Sequence, residues 1–105
     1  MSDDATITVG ENADADRYEI HVDGALGGFA QYVRRNGRTY FVHTEIDPAF
    51  GGRGLGGQLV KAALDSERAA ERPIVPLCPF VKAFVERHPA YQDLVDGRIV
   101  AAIDD

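Results

Sequence analysis

The chain has 105 residues, 45% of them hydrophobic and 27% charged, as expected of one globular domain spanning residues 1–105. A formal net charge of -6 argues against a nucleic-acid binder, and the single Cys78 excludes an internal disulfide. No apolar run reaches the roughly 18 residues of a membrane span, and Met1-Ser-Asp-Asp lacks the regions of a signal peptide, so a cytoplasmic location is expected.

The elements read as follows in chain order. Ala5 to Val9 is a short β-prone run, and Gly10 to Asp16 a polar connection. Arg17 to Val22 alternates as a half-buried strand, with Tyr18, Ile20 and Val22 on one face. Asp23-Gly24 is a tight-turn signal, and Ala25 to Arg34 a third strand in which Gly27-Gly28 marks a bulge. Asn36-Gly37 turns again, and Arg38 to Ile46 is a fourth strand, giving an antiparallel meander. Pro48 ends that strand.

Five of the eleven glycines then fall between Gly51 and Gly57. A helix follows from about Gly54 to Glu71, its apolar stripe formed by Leu55, Leu59, Ala63 and Leu64. Ile74 to Leu77 is a short strand that can lie parallel to the fourth. Pro79 opens a second helix to about Arg87, with Phe80, Val81, Phe84 and Val85 turned inward. His88 caps that helix before Pro89, Ala90 to Val95 makes a helical turn or two, and Arg98 to Ile103 is a possible last strand. The fold class is therefore α+β, a mixed sheet with one right-handed crossover. Pro76 cannot donate a ladder bond, so the pairing of strands four and five should splay. The groups left unpaired there need partners, and an extended ligand carrying amides could supply them.

A glycine loop between a strand and a helix is a ready anion site. The helix start exposes unpaired N–H groups at the positive end of its dipole, and glycine lets a phosphate come close. A nucleotide P-loop is excluded, because no Lys-Ser or Lys-Thr follows the glycines. A dinucleotide fingerprint is excluded too, since the preceding strands form hairpins rather than a parallel frame.

Ile46-Asp47-Pro48 followed by Gly-Gly-Arg-Gly-Leu-Gly and a long helix resembles the acetyl-CoA-binding segment of the GNAT superfamily of N-acyltransferases. That family places Arg or Gln, two residues, Gly, one residue, then Gly or Ala. Gly54 and Gly56 match the pattern, whereas Gly51 stands where Arg or Gln is preferred. With Phe41-Val-His-Thr-Glu-Ile46, Val75-Pro-Leu-Cys-Pro-Phe80 and His88-Pro-Ala-Tyr91, the chain is similar to the small single-domain acetyltransferases of that superfamily.

The resemblance implies acetyl-CoA as cosubstrate, an amine acceptor (a small amine or a protein lysine) and no metal. Glu45 and Ile46 would pair with the pantetheine amides. Gly51, Gly52, Arg53, Gly54, Leu55, Gly56 and Gly57 would hold the pyrophosphate, Arg53 adding charge. Cys78 would sit near the thioester. Its place beside the start of the Pro79 helix favours a thiolate, which could take the acyl group covalently. Direct attack by the amine is the alternative, with Glu45 or His43 as base and Tyr91 as acid. Full-sized relatives carry two helices between the first two strands, which wall the acceptor site, and Gly10 to Asp16 is too short for them. A non-catalytic acyl-CoA-binding or regulatory module is therefore the second reading. Net acidity mildly favours a cationic acceptor.

Overall fold

The computed structural model describes residues 6–51 and 54–96. They form β1 (Ile7–Asn12), β2 (Arg17–Val22), β3 (Ala25–Arg35), β4 (Arg38–Ile46), α1 (Leu55–Ala69), β5 (Ile74–Pro76) and α2 (Pro79–Arg87). Short 3-10 turns cover Ala13–Ala15, Pro48–Phe50 and Pro89–Leu94. The strands lie in the order β1-β2-β3-β4-β5, antiparallel except for the parallel pair β4 and β5. This is the expected mixed sheet. The segment from Arg98 to Ile103 lies outside the described residues.

Local chemistry accounts for the meander. Asp23 and Gly24 both have positive φ, 51° and 87°, as do Asn36 and Gly37 at 54° and 76°, the backbone that two-residue hairpins require. β1 runs three residues further than its composition suggests. Gly10, Glu11 and Asn12 continue the ladder against Glu19, Tyr18 and Arg17, and the connection shrinks to a turn that Asn12 caps by accepting from the Ala15 N–H at 3.3 Å. Pairing with β2 overrides the weak strand preference of Gly10 to Asn12.

Two bulges bend the sheet. Ile20 faces Gly28 while His21 faces Leu26, so Gly27 is the extra residue, at the expected site. The second was not legible: Gln31 faces His43 while Tyr32 faces Phe41, which leaves Val42 extra in β4. Below this bulge Thr39 and Phe41 point into the core. Beyond it Thr44 takes the inner face, while His43 and Glu45 are exposed on the outer one. Both helices cover the inner face. There Tyr18, Ile20, Ala30, Tyr32 and Phe41 meet Leu59, Val60, Ala63 and Leu64 of α1 and Val81, Phe84 and Val85 of α2.

Gly28 fixes the approach of β3 to the end of β4. A Cβ there would stand 2.5 Å from the Glu45 carbonyl oxygen and 2.6 Å from Ile46 Cδ1, and the backbone oxygen cannot swing aside. Gly28→Ala is therefore expected to lower unfolding free energy by about 1–2 kcal/mol in urea titrations, after allowing for the reduced entropy of the unfolded chain. Gly10→Ala, whose Cβ would meet nothing within 4 Å, is the control. Equal stability of the two variants would refute this account of Gly28.

A polar network crosses the core. Glu67 of α1 is wholly buried and accepts from Tyr18 of β2, from Thr39 of β4 at 2.7 Å, from Arg34 of β3 at 2.7 Å and from Arg72 at 2.8 Å. Arg34 also reaches Glu11 of β1 at 2.7 Å, and Tyr32 donates to the same carboxylate. Each buried charge thus meets both an opposite charge and hydrogen-bond donors, the condition for its survival in a core.

Candidate active site

The site begins where β5 leaves β4. Their ladder holds for only three pairs, ending at Phe41 opposite Pro76. Pro76 has no N–H, Leu77 turns back to donate to Val75 at 3.0 Å, and the Cys78 N–H makes the last link, to the Phe41 carbonyl at 2.8 Å. β4 continues to Ile46. Among the described residues no strand pairs with its β5-side edge beyond Phe41. The expected splay is present: the ladder stops at Phe41, just before the bulge at Val42.

Cys78 occupies the N-cap of α2, with Pro79 in the first turn and no side-chain capping bond. Its side chain is buried, and the thiol donates to Thr44 Oγ1 at 3.4 Å. Thr44 was not singled out in the sequence; its signal would have been its place on the strand face that follows the bulge. His43 and Glu45 lie on the opposite face, with His43 Nε2 3.2 Å from Glu45 Oε1. The Phe29 ring is 6.0 Å from the His43 ring. The two candidate bases thus come together, across β4 from Cys78.

The helix start lies at the same end of the sheet. Gly54 is the N-cap of α1 at φ 70°, ψ 22°, a left-handed conformation suited to glycine, and it carries no capping side chain. Helix geometry leaves the N–H groups of Leu55, Gly56 and Gly57 without intrahelical acceptors. Gly51 is extended, its N–H bonded to the Pro48 carbonyl at 3.1 Å. Gly52 and Arg53 lie outside the described residues.

The other loop residues differ in what they do. Leu55 is a core residue whose only outward offer is its N–H. A Cβ on Gly56 would stand 2.4 Å from Phe80 Cζ, so this glycine seats an aromatic ring. Around Gly57 nothing lies within 4 Å of such a Cβ. Phe80, expected in the core, is instead 43% exposed and covers Gly56, since Leu59, Val81 and Phe84 already fill the interior.

From these residues a trough of about 540 Å³ runs between the two helices. Gly54, Gly57, Gln58 and Lys61 form the α1 wall, one stripe at helical spacing. Phe80, Phe84, Arg87, His88 and Tyr91 form the other. His88 Nδ1 meets the Phe84 carbonyl at 2.7 Å, which confirms the helix cap, and its ring stacks on Phe84 at 4.0 Å. Tyr91 donates to Asp65 at 2.7 Å, and Lys61 donates to the same carboxylate at 3.0 Å. The bond to Asp65 raises the Tyr91 pKa, and the bonds from Tyr91 and Lys61 hold Asp65 below the ordinary carboxylate value despite some burial. Tyr91 sits past the C-terminal end of α2, whose nine residues span about 13 Å from the Cys78 end. The structure brings Tyr91 to the trough and not to Cys78.

The model of the GCN5-related N-acetyl-transferase family matches residues 17–94, from β2 to the end of the Pro89–Leu94 turn. The fold is similar to the solution structure of a candidate GCN5-like N-acetyltransferase from Staphylococcus aureus. The similarity covers 90% of each chain at 25% identity, with a TM-score of 0.63. No curated protein sequence matched. A splayed β4–β5 pair, an uncapped glycine helix start and a family match over most of the chain lead to one conclusion: the chain belongs to the GCN5-related N-acetyltransferases, enzymes of acyl transfer.

Proposed function

We propose that the chain transfers an acetyl group from acetyl-CoA to an amine, by way of Cys78. The observation that carries this is one juxtaposition. The uncapped start of α1, the unpaired edge of β4 and Cys78 at the start of α2 lie at one end of the sheet. The pyrophosphate takes the N–H groups of Leu55, Gly56 and Gly57, with Gly51, Gly52 and Arg53 completing the loop. The pantetheine amides take backbone groups near Glu45 and Ile46 in place of the missing strand. The acceptor amine reaches the gap from the outer face, where no described helix covers the sheet.

The chemistry balances as follows. The Cys78 thiol, 3.4 Å from Thr44 Oγ1, gives up its proton to solvent. The thiolate attacks the thioester carbonyl. The coenzyme A thiolate leaves and takes a proton from water, leaving an acetyl group on Sγ. The neutral amine then attacks that carbonyl, its surplus proton passes to His43 or Glu45, and the Cys78 thiolate departs. Tyr91, whose proton is committed to Asp65, serves as a wall of the trough.

Gly57→Leu tests the donor site. Gly54→Val would strain a left-handed residue and Gly56→Val would displace Phe80, but Gly57 is helical with open space beside it. Acetyl-CoA affinity in Gly57→Leu should fall by at least about tenfold without loss of melting temperature, since Leu covers the N–H groups that meet phosphate. Wild-type protein should turn over acetyl-CoA with some member of a panel of small amines and lysine peptides. Tight binding without transfer to any of them would favour a non-catalytic acyl-CoA-binding module, and unchanged affinity in Gly57→Leu would refute the loop assignment.

A further inference from the structure

We propose that Thr44 is a positioning residue for Cys78: its hydroxyl holds the sulfur across the β4–β5 gap and, once the thiol has lost its proton, donates to the thiolate; this rests on Cys78 being the acyl carrier. The strand supplies the first reason. In a regular β4, alternation from the buried Thr39 and Phe41 would turn His43 and Glu45 to the inner face and Thr44 outward. The extra residue at Val42 reverses that parity, and Thr44 lands on the inner face, paired across the ladder with the buried Ala30. The bulge thus sets a neutral hydroxyl beside the sulfur, where a regular strand would have brought an imidazole and a carboxylate. Bulges re-aim side chains in this way next to active sites.

The orientation of Cys78 is the second reason. An N-cap side chain ordinarily turns back to accept from the first N–H groups of its own helix. In α2 those are the N–H groups of Phe80 and Val81, since Pro79 has none and the Lys82 N–H bonds the Cys78 carbonyl at 3.0 Å. The sulfur takes neither, and reaches across to Thr44 Oγ1 at 3.4 Å. Two orientations therefore compete, one capping α2 and one facing β4. A thiolate is the better acceptor and is drawn to the helix more strongly than a thiol. The Thr44 hydroxyl offsets that pull, because it accepts from S–H and, by turning about its C–O bond, donates to S⁻. Its branched side chain keeps Oγ1 itself in place. The thiol proton leaves for solvent before this turn, and Thr44 keeps its own proton throughout. Cys78 is only 4% exposed, so little water is at hand to replace a lost partner.

The test follows acetyl-Cys78 by quenched intact-protein mass spectrometry, with acetyl-CoA at several concentrations and no amine. Alkylation of Cys78 by iodoacetamide, which needs no donor site, is timed alongside. Thr44→Val keeps the branched shape, so its melting temperature should match the wild type. Its maximal rate of acetyl-Cys78 formation should fall about tenfold, the worth of one hydrogen bond to a charged atom, with the half-saturating acetyl-CoA concentration unchanged. Its alkylation should also slow, and Thr44→Ser should restore most of both rates. Wild-type rates in Thr44→Val, a Thr44→Ser as slow as Thr44→Val, or a change confined to half-saturation would each overturn the proposal while the acyl-carrier role stands. Absence of acetyl-Cys78 in the wild type, with alkylation still slowed in Thr44→Val and restored in Thr44→Ser, would overturn the acyl-carrier role alone.

Discussion

Cys78→Ala is expected to cut acetyl transfer by at least roughly a thousandfold while leaving coenzyme A affinity unchanged. Affinity should hold because the donor's phosphates and amides meet backbone N–H groups and the β4 edge, none of which the thiol supplies. Rate should collapse because the chain has no second cysteine to take the acyl group. Thr44, the hydrogen-bond partner of Cys78, bears a hydroxyl far less acidic than a thiol. The variant should fold, since Cys78 is a small packed group and alanine removes a single sulfur atom's contacts at the N-cap of α2. Intact-protein mass spectrometry supplies the second readout. Wild-type protein mixed with acetyl-CoA and no amine should carry one acetyl group that maps to Cys78, and Cys78→Ala should carry none there. Wild-type turnover in Cys78→Ala would eliminate the covalent route. The amine would then attack the coenzyme A thioester itself, with His43 and Glu45 still serving as base.

How far the sequence reveals this site depends on the kind of signal each part sends. Asp23-Gly24, Asn36-Gly37, Pro76 and Pro79 act through their own backbone preferences, so both hairpins, the splay and the start of α2 were readable from single residues. Gly27 was readable as a bulge for the same reason. The bulge at Val42 was not, because valine is a good strand former and the extra residue reflects how β3 and β4 bend around the core. That unseen bulge sets which of His43, Thr44 and Glu45 face Cys78. The family pattern treated Gly54 and Gly56 alike, yet one supplies a left-handed cap and the other clears room for Phe80, a contact from 24 residues away. Long-range partners of this kind, including Asp65 for Tyr91, leave no local trace in the sequence.

Glu67→Gln is expected to be the most destabilising of these substitutions, costing about 3 kcal/mol, a large part of the roughly 5–15 kcal/mol typical of a domain. The helical pattern places position 67 near the wet side of α1, yet this carboxylate is fully buried beneath three strands. Glutamine keeps its size but loses its charge, and its amide N–H₂ would face donors from Arg34, Arg72 or Tyr18. The two arginines are partly exposed and recover some hydration, which holds the loss to the lower end of the range for a broken buried pair.

The pH response has a definite sign. Burial pushes the Glu67 pKa up, but the hydrogen bonds from Arg72, Tyr18, Thr39 and Arg34 outweigh it, so the folded value lies below the ordinary 4.5. Glu11 is lowered likewise, burial being outweighed by its bonds from Tyr32 and Arg34. A lowered carboxylate contributes stability that is complete above its unfolded pKa and is lost as pH falls through the folded value. Wild-type protein should therefore weaken steeply below about pH 4.5, and Glu67→Gln should show a shallower acid limb in urea titrations across that range. Burial and the bond to Glu67 push Tyr18 up to about 12, so the phenol stays a donor throughout. A loss under about 1 kcal/mol at neutral pH, or an acid limb as steep as the wild type's, would refute this role for Glu67. Glu67 lies in the half of α1 away from the Gly54 cap, so transfer rate per folded molecule should be unchanged in the variant, which separates a stabilising carboxylate from a catalytic one.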